Sequence, residues 1–257
     1  MAQDTYIEFF TGMLGGGKTY NAVIRALAHM ALGGHVYTNV TLKPEACRDY
    51  LRRFYGVDVD CAQCIHELTH DQMQTFPDHI KTGGEVPVLL ICDEAHLLWS
   101  ALDWSKVGRK VMDFLTLTRK MHVHIILITQ HPDNVAKQFR RMVQFFWTFR
   151  DWRKLRIPVL HLSLGWLPII QCVCVDPYSH QKIRNESIML DPSIFPCYET
   201  RQLVLPMSLE EQQPNHVRKV SWDERWPRLS RRVWGGLRVA EAWSLAIVGV
   251  EALLLIP

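Results

Sequence analysis

Up to Arg150 the chain carries five apolar stretches separated by polar or glycine-rich turns. Tyr6-Ile7-Glu8-Phe9-Phe10, Val88-Leu89-Leu90-Ile91-Cys92, Val123-His124-Ile125-Ile126-Leu127-Ile128 and Met142 to Phe149 run with little alternation, and His35-Val36-Tyr37-Thr38-Asn39-Val40 is rich in β-branched residues. Runs of this kind predict strands buried on both faces of a sheet. Between them the pattern changes to a helical period: Lys18 to Leu32 closed by Gly33-Gly34, Val107 to Met121, and Asp133 to Arg141 opened by His131-Pro132. Strand, helix and strand in alternation predict βαβ units, and therefore an α/β fold with a mainly parallel sheet and right-handed crossovers.

Three segments depart from this pattern. Residues 41–87 read as helices and loops inserted between sheet strands, within a core of residues 1–155. In residues 156–217, IPVLHLSLGW and LPIIQCVCVDPYS alternate and predict an appended antiparallel β-hairpin, with Cys172 and Cys174 on one face as core fillers. Gln181 to Pro214 follows as extended, proline-bearing loop with short helices. In residues 218–257, Arg218, Lys219, Arg225, Arg228, Arg231, Arg232 and Arg238 interleave with Trp222, Trp226 and Trp234 before the apolar run Ala242 to Ile256. This basic and apolar tail fits a membrane anchor with a cytoplasmic basic flank. It also fits an apolar helix packed on protein, or a stripe for nucleic-acid backbone. The run is shorter than a full span, and Glu251 would be costly near a bilayer centre.

Composition narrows the class only a little. At 257 residues and 48% hydrophobic content the chain can bury a substantial core, and a net charge of +3 says little about nucleic acid. The seven cysteines are odd in number, and MAQDTYIEFF has no basic region followed by an apolar core. Reduced thiols in a cytoplasm and synthesis without a cleaved signal are expected. Cys61, Cys64, His66 and His70 have zinc-like spacings, but one residue between Cys64 and His66 leaves little chain to wrap a tetrahedron. The alternative is a surface helix with incidental thiols.

The chemistry is concentrated at strand ends. Gly12 through Gly17 to Lys18 and Thr19 has the G-x-x-x-x-G-K-[ST] spacing of a phosphate-binding loop, lying between a strand and a helix. Gly12, Gly15, Gly16 and Gly17 leave backbone N–H groups bare for a triphosphate, Lys18 reaches the β- and γ-phosphates, and Thr19 suits Mg²⁺. The run Val88 to Cys92 delivers Asp93, placed to hold Mg²⁺ through water, and Glu94, placed to orient and deprotonate attacking water. His96 completes the letters DEAH, but a helicase would need a second RecA-like domain for which too little chain remains. Thr129 and Gln130 end the next strand as γ-phosphate sensors, and Arg119, Arg140, Arg141 and Arg150 are candidate arginine fingers.

The order GMLGGGKTYNAVIRAL, GGHVYTNV, VLLICDEAH, LTLTRKMHVHIILITQHPDNVAKQFRRMVQFFWTFRDW resembles the N-terminal domain of the zonula occludens toxin (Zot) family over about residues 5 to 155. That family includes the gene I assembly and export ATPases of filamentous phages. The resemblance implies a RecA-like (ASCE) P-loop NTPase using ATP and Mg²⁺. By position it puts nucleotide on Gly12 to Thr19, the metal and catalytic acids at Asp93 and Glu94, and the sensor at Thr129 or Gln130. It further implies a homo-oligomer, expected as a hexamer, in the host cytoplasm and attached to the inner membrane by the C-terminal segment. The partners implied are DNA of the phage genome and phage export or capsid proteins. Glu251 and the lack of a periplasmic domain depart from the family pattern, so packaging of DNA into a membrane-containing capsid stands beside export. A nucleotide-switched membrane scaffold with little turnover and a small-molecule kinase are the other classes; Glu94 argues against the first, and the Asp-Glu pair with the following sensor suits water attack better than the second.

Overall fold

Strand β1 (Ile7–Thr11) is buried at every position and passes through the glycine loop into α1 (Lys18–Ala31). The chain returns as β2 (His35–Thr38), then forms α2 (Pro44–Tyr50), extended by a π-helical turn (Leu51–Tyr55), and α3 (Cys61–Cys64). Next come β3 (Ile65–Glu67), α4 (His70–Gln74), β4 (Val88–Cys92), α5 (Ala95–Leu98) and α6 (Arg109–Leu117). They are followed by β5 (Val123–Ile128), α7 (Lys137–Met142) and β6 (Phe145–Asp151). A short pair, β7 (Arg156–Ile157) and β8 (Leu162–Ser163), precedes β9 (Ile169–Val175), β10 (Lys182–Met189) and a 3₁₀ segment (Pro192–Cys197). The computed structural model describes residues 5–82, 86–102, 107–154, 156–157, 162–163 and 168–199.

The main sheet has the order β10-β9-β6-β1-β5-β4-β2-β3. From β6 to β3 every pairing is parallel, whereas β9 runs antiparallel to both β6 and β10. This arrangement is an α/β, RecA-like P-loop NTPase fold with a mainly parallel sheet. Strand β5 lies between β1 and β4, so the phosphate loop, the acidic pair and the Thr129-Gln130 pair all leave the same edge of the sheet at adjacent positions.

The absence of alternation in the strands follows from apolar layers on both faces. Phe10, Val36, Leu89, Ile91, Ile126 and Phe149 pack with α1 on one side. Ile7, Phe9, Leu90, Ile125 and Leu127 pack with α6 and α7 on the other. Glu8 is the exception, a carboxylate only 3% exposed in the middle of β1. Trp147 Nε1 donates to its Oε1 at 3.0 Å, His124 Nε2 lies 3.1 Å from its Oε2, and Arg25 Nη1 approaches Oε2 at 3.4 Å. The Arg25 guanidinium also lies over the rings of Phe10 and Trp147, tying α1 to β1 and β6.

Several elements differ from the sequence expectation. The strand that forms a hairpin with β9 is β10, within a stretch expected to be loop, and not the IPVLHLSLGW segment, whose described residues lie in β7 and β8. β10 is an edge strand with mostly exposed side chains, so burial imposes no apolar alternation on its sequence. Residues 41–87 contain the edge strand β3, parallel to β2. His66 therefore lies in a strand, whereas His70 begins a separate helix capped by Thr69 and Gln72. The helix expected over 107–121 is confined to Arg109–Leu117, because the chain must turn through His122, at φ 53°, to enter β5. No helix among the described residues is long and apolar enough to cross a membrane. The Pro-rich stretch from residue 200 and the basic and apolar tail lie outside the described residues.

Burial pushes the Glu8 carboxyl up, but His124, Arg25 and Trp147 outweigh it and hold the group below the ordinary glutamate value of 4.5. A depressed folded-state value gives stability that is complete above 4.5 and is lost as pH falls through the lowered value. Glu8→Gln, which keeps the shape but weakens three interactions, is expected to cost about 1–3 kcal/mol near neutral pH. Urea unfolding at a series of pH values should show wild type and variant converging in acid; a constant difference would contradict this account of the buried carboxylate.

Candidate active site

The loop after β1 has a shape that only small residues permit. Gly12 has φ 131°, and a Cβ there would lie 2.6 Å from the Phe149 carbonyl oxygen on β6. Gly17, at φ 95°, leads directly into α1, and a Cβ there would lie 2.3 Å from Cδ1 of Ile170 on β9. The loop is thus pressed against the sheet from below, leaving backbone N–H groups and the positive end of a 14-residue helix available to an anion. Gly15 and Gly16 complete the turn, with Gly16 N–H donating to the Met13 carbonyl at 3.0 Å.

Lys18 is 7% exposed, and its Nζ donates to the carbonyls of Gly12 at 2.9 Å and Met13 at 3.1 Å. The cation therefore sits within the loop that it would complete. Thr19 Oγ1 donates to Asp93 Oδ2 at 2.9 Å, joining the start of α1 to the end of β4. A hydroxyl and a carboxylate held together are hard oxygen donors of the kind Mg²⁺ takes beside phosphate. The donor set fits that ion, with Thr19 and Asp93 as the residues to hold it.

Asn39, at the carboxyl end of β2, had no place in the sequence reading. Its Oδ1 accepts from Asp93 N–H at 2.7 Å and its Nδ2 donates to the Asp93 carbonyl at 2.9 Å. Asp93 Oδ1 in turn accepts the Glu94 N–H at 2.8 Å. These bonds fix the backbone where Glu94 adopts the left-handed conformation, φ 51° and ψ 46°. For a residue with a side chain this costs about 1–3 kcal/mol and persists only where surroundings impose it. The signal for Asn39 was available in principle: it is a polar residue at the carboxyl end of a strand, where open α/β sheets bind ligands.

Glu94 Oε2 and His96 Nδ1 approach to 3.3 Å, yet both atoms are buried and neither has a hydrogen-bond partner among the described residues. Buried polar atoms are normally satisfied, so this pair has free capacity beside the phosphate loop. Burial raises the Glu94 carboxyl, and the neighbouring Asp93 charge raises it further. Burial also raises Asp93, against the hydrogen bond from Thr19.

The two sensor candidates separate. Thr129 is fully buried and its hydroxyl donates to the His131 carbonyl at 3.1 Å. Gln130 is half-buried, its side chain has no hydrogen-bond partner among the described residues, and its carbonyl accepts from Gly12 N–H at 3.5 Å. Of the pair, Gln130 has the side chain free to meet a ligand at the loop.

The arginines are spread across the molecule. Arg150 is exposed on β6 next to Phe149, beside the chain's own phosphate loop. Arg140 pairs with Asp133 on the approach to α7. Arg141 at the end of α7 and Arg119 between α6 and β5 are exposed at the opposite, amino edge of the sheet. A strand of six residues separates the two edges by about 20 Å, so Arg119 and Arg141 do not reach this chain's own loop. No group of three or more His, Cys, Asp or Glu among the described residues is placed to hold a metal, the Cys61, Cys64, His66 and His70 set included.

The zonular occludens toxin (Zot) family model matches residues 6–201. The gene 1 protein of Salmonella phage IKe is 31% identical over 177 residues, covering 62% of this chain and 45% of that protein. The gene 1 protein of Enterobacteria phage I2-2 is 30% identical with the same coverage. The chain thus spans about half the length of these relatives. Among solved structures, the N-terminal domain of zonular occludens toxin from Neisseria meningitidis aligns with a TM-score of 0.49 at 18% identity, over 77% of this chain and all of that one. The genome packaging NTPase B204 of Sulfolobus turreted icosahedral virus 2 aligns with a TM-score of 0.47 at 16% identity, over 74% of this chain and 99% of that one. With a family model covering most of its length and a phosphate loop, acidic pair and polar strand end on adjacent strands, the chain belongs to the zonular occludens toxin (Zot) family.

Proposed function

We propose that this chain is the ATP-hydrolysing subunit of a phage assembly motor, coupling turnover to DNA movement. The observation that carries the reading is the set of groups facing the phosphate loop. Thr19 is bonded to Asp93, and Glu94 stands beside them with a buried oxygen that has no hydrogen-bond partner among the described residues. A switch that only binds nucleotide has no use for such a carboxylate. Mg²⁺, when bound, neutralises charge on the phosphates.

The protein groups then divide the work. The loop amides and Lys18 bind and orient the triphosphate, Lys18 exchanging its bonds to Gly12 and Met13 for phosphate oxygens. Glu94 orients a water toward the γ-phosphate and accepts its proton, while His96 steadies the carboxylate. Gln130 contacts the same water or the γ-phosphate from the adjacent strand. Asn39 acts by holding Asp93, and Arg150 is the finger candidate nearest the chain's own loop, with Arg119, Arg140 and Arg141 left for service to a neighbouring subunit. Two of the relatives are gene 1 proteins of phages, and this reading makes the chain a homo-oligomer, a hexamer by expectation, acting on the phage genome with export or capsid proteins. It places the motor in the host cytoplasm at the inner membrane, held through residues 242–256. Export and packaging share this chemistry.

Glu94→Gln is expected to lower the hydrolysis rate by about 10²- to 10⁴-fold with nucleotide affinity retained, and Lys18→Ala to abolish affinity. Phosphate release and fluorescent-nucleotide binding measure the two; a wild type that binds ATP without turning it over, with or without DNA, leaves the switch-scaffold reading in its place. Glu94 must be ionised to take a proton and its folded-state value is raised above 4.5. The acid limb of the rate should therefore lie above the ordinary glutamate range, with activity lost as pH falls through it; a limb at or below 4.5 would remove Glu94 as the base. Asn39→Ala should cut kcat by about tenfold, equivalent to about 1.4 kcal/mol, with little change in KM. A change in KM alone would show that Asn39 serves binding and not the placement of the acids.

A further inference from the structure

The amino edge of the sheet, opposite the nucleotide loop, carries charge that does not reach this chain's own nucleotide site. Arg119 and Lys120 lie in the turn before β5, Arg141 ends α7 before β6, and Lys182 begins β10; all are exposed. None forms an ion pair among the described residues, whereas Arg140 and Arg184 are paired with Asp133 and Glu186. In the sheet order, β5 and β6 are two strand spacings apart, as are β6 and β10. The cations are thus set out along the edge in steps of about 10 Å.

An aromatic ring stands within this row. Tyr178, in the turn between β9 and β10, is 74% exposed. It is nevertheless fixed: its hydroxyl donates to the Arg141 carbonyl at 2.7 Å, and its N–H donates to Asp176 Oδ1 at 2.8 Å. Asp176 also accepts the Ser179 N–H at 2.7 Å, so the acid nearest the ring is engaged in shaping the turn. A large ring held in solvent has no packing role, and the cations beside it have no anionic partner among the described residues.

We infer that this edge binds single-stranded nucleic acid, with phosphates on Arg119, Lys120, Arg141 and Lys182 and an unpaired base stacked on Tyr178. Cations tracking the backbone and an aromatic face for the base are the two components of sequence-tolerant single-strand binding. In a duplex the bases already stack on one another, so the ring would have no base to receive. The inference rests on the motor reading for its purpose, and gives that motor a surface and a strandedness for its polymer. Binding itself requires no nucleotide.

The test is fluorescence anisotropy of labelled oligo(dT) on the full chain, with an unlabelled duplex and anionic vesicles as competitors, over a range of salt. Wild type should prefer oligo(dT) to duplex. Tyr178→Ala should weaken oligo(dT) by about tenfold, and Tyr178→Phe, which keeps the ring, should stay within about twofold of wild type. Arg119→Ala, Lys120→Ala and Arg141→Ala should each reduce the salt slope by about one contact. The C-terminal basic segment is common to all variants, so differences among them report this edge.

Unchanged binding by Tyr178→Ala, a duplex preference, or competition by vesicles alone would overturn the inference. Melting curves and DNA-free ATPase of Tyr178→Ala, both expected at wild-type levels, exclude misfolding. Intact turnover with oligo(dT) binding indifferent to Tyr178 removes this surface and leaves the motor reading. Tyr178-dependent binding in a chain without turnover does the reverse.

Discussion

The hydrogen bond from Thr19 to Asp93 joins residues 74 positions apart and can form only if two strands end level with each other. Thr19 follows β1 through the loop; Asp93 follows β4. Since β5 separates those strands, their ends are about 10 Å apart across the sheet, and the loop must cover that distance while entering α1 at a fixed angle. The parallel register meets this requirement: Phe10 is level with Ile128 on β5, and Ile91 with Ile126. The glycines provide the tight path, and the double apolar layer keeps the strands from slipping, since a shift of one residue would turn every core side chain to the wrong face.

Burial on both faces creates a problem that Glu8 exposes. An uncompensated carboxylate in the middle of β1 would be strongly destabilising, yet this one gathers Trp147, His124 and Arg25 from three different elements. The charge is thereby converted into a positional restraint. Arg25 belongs to α1, whose first turn carries Lys18 and Thr19, so the same network that satisfies Glu8 helps set the orientation of the helix presenting those side chains. The link from a buried acid to the site is mechanical: it passes along one rigid helix of four turns.

The parts of the site legible in the sequence are those whose chemistry is local in the chain. The glycine spacing, the Asp-Glu pair after an apolar strand and the polar end of β5 each announce themselves within a few residues. Asn39 does not, because its role depends on β2 lying beside β4, a fact of sheet order that a βαβ pattern leaves open. β10 was missed for a different reason: an edge strand with solvent on its side chains need not alternate, so KIRNESIM carries little strand signal. β3 is only three residues long and gave still less. The arginines show the limit most plainly. Their number and charge could be read, but their division between two edges of the sheet is a property of strand direction and turn position.

Lys18 adds a constraint on how the loop responds to an anion. Its buried ammonium is satisfied by two loop carbonyls, and a charge in that environment cannot be left unpaired without a cost of several kcal/mol. Any polyphosphate that enters must therefore take over the cation as those carbonyl bonds break, and the exchange is favourable because phosphate oxygens form charge-assisted bonds stronger than those of neutral carbonyls. A neutral ligand, or an anion too small to reach Nζ, obtains no such exchange. On the proposed reading, the resting bonds of Lys18 therefore disfavour any ligand that does not reach Nζ, through the ordering of two sets of hydrogen bonds around a single charge.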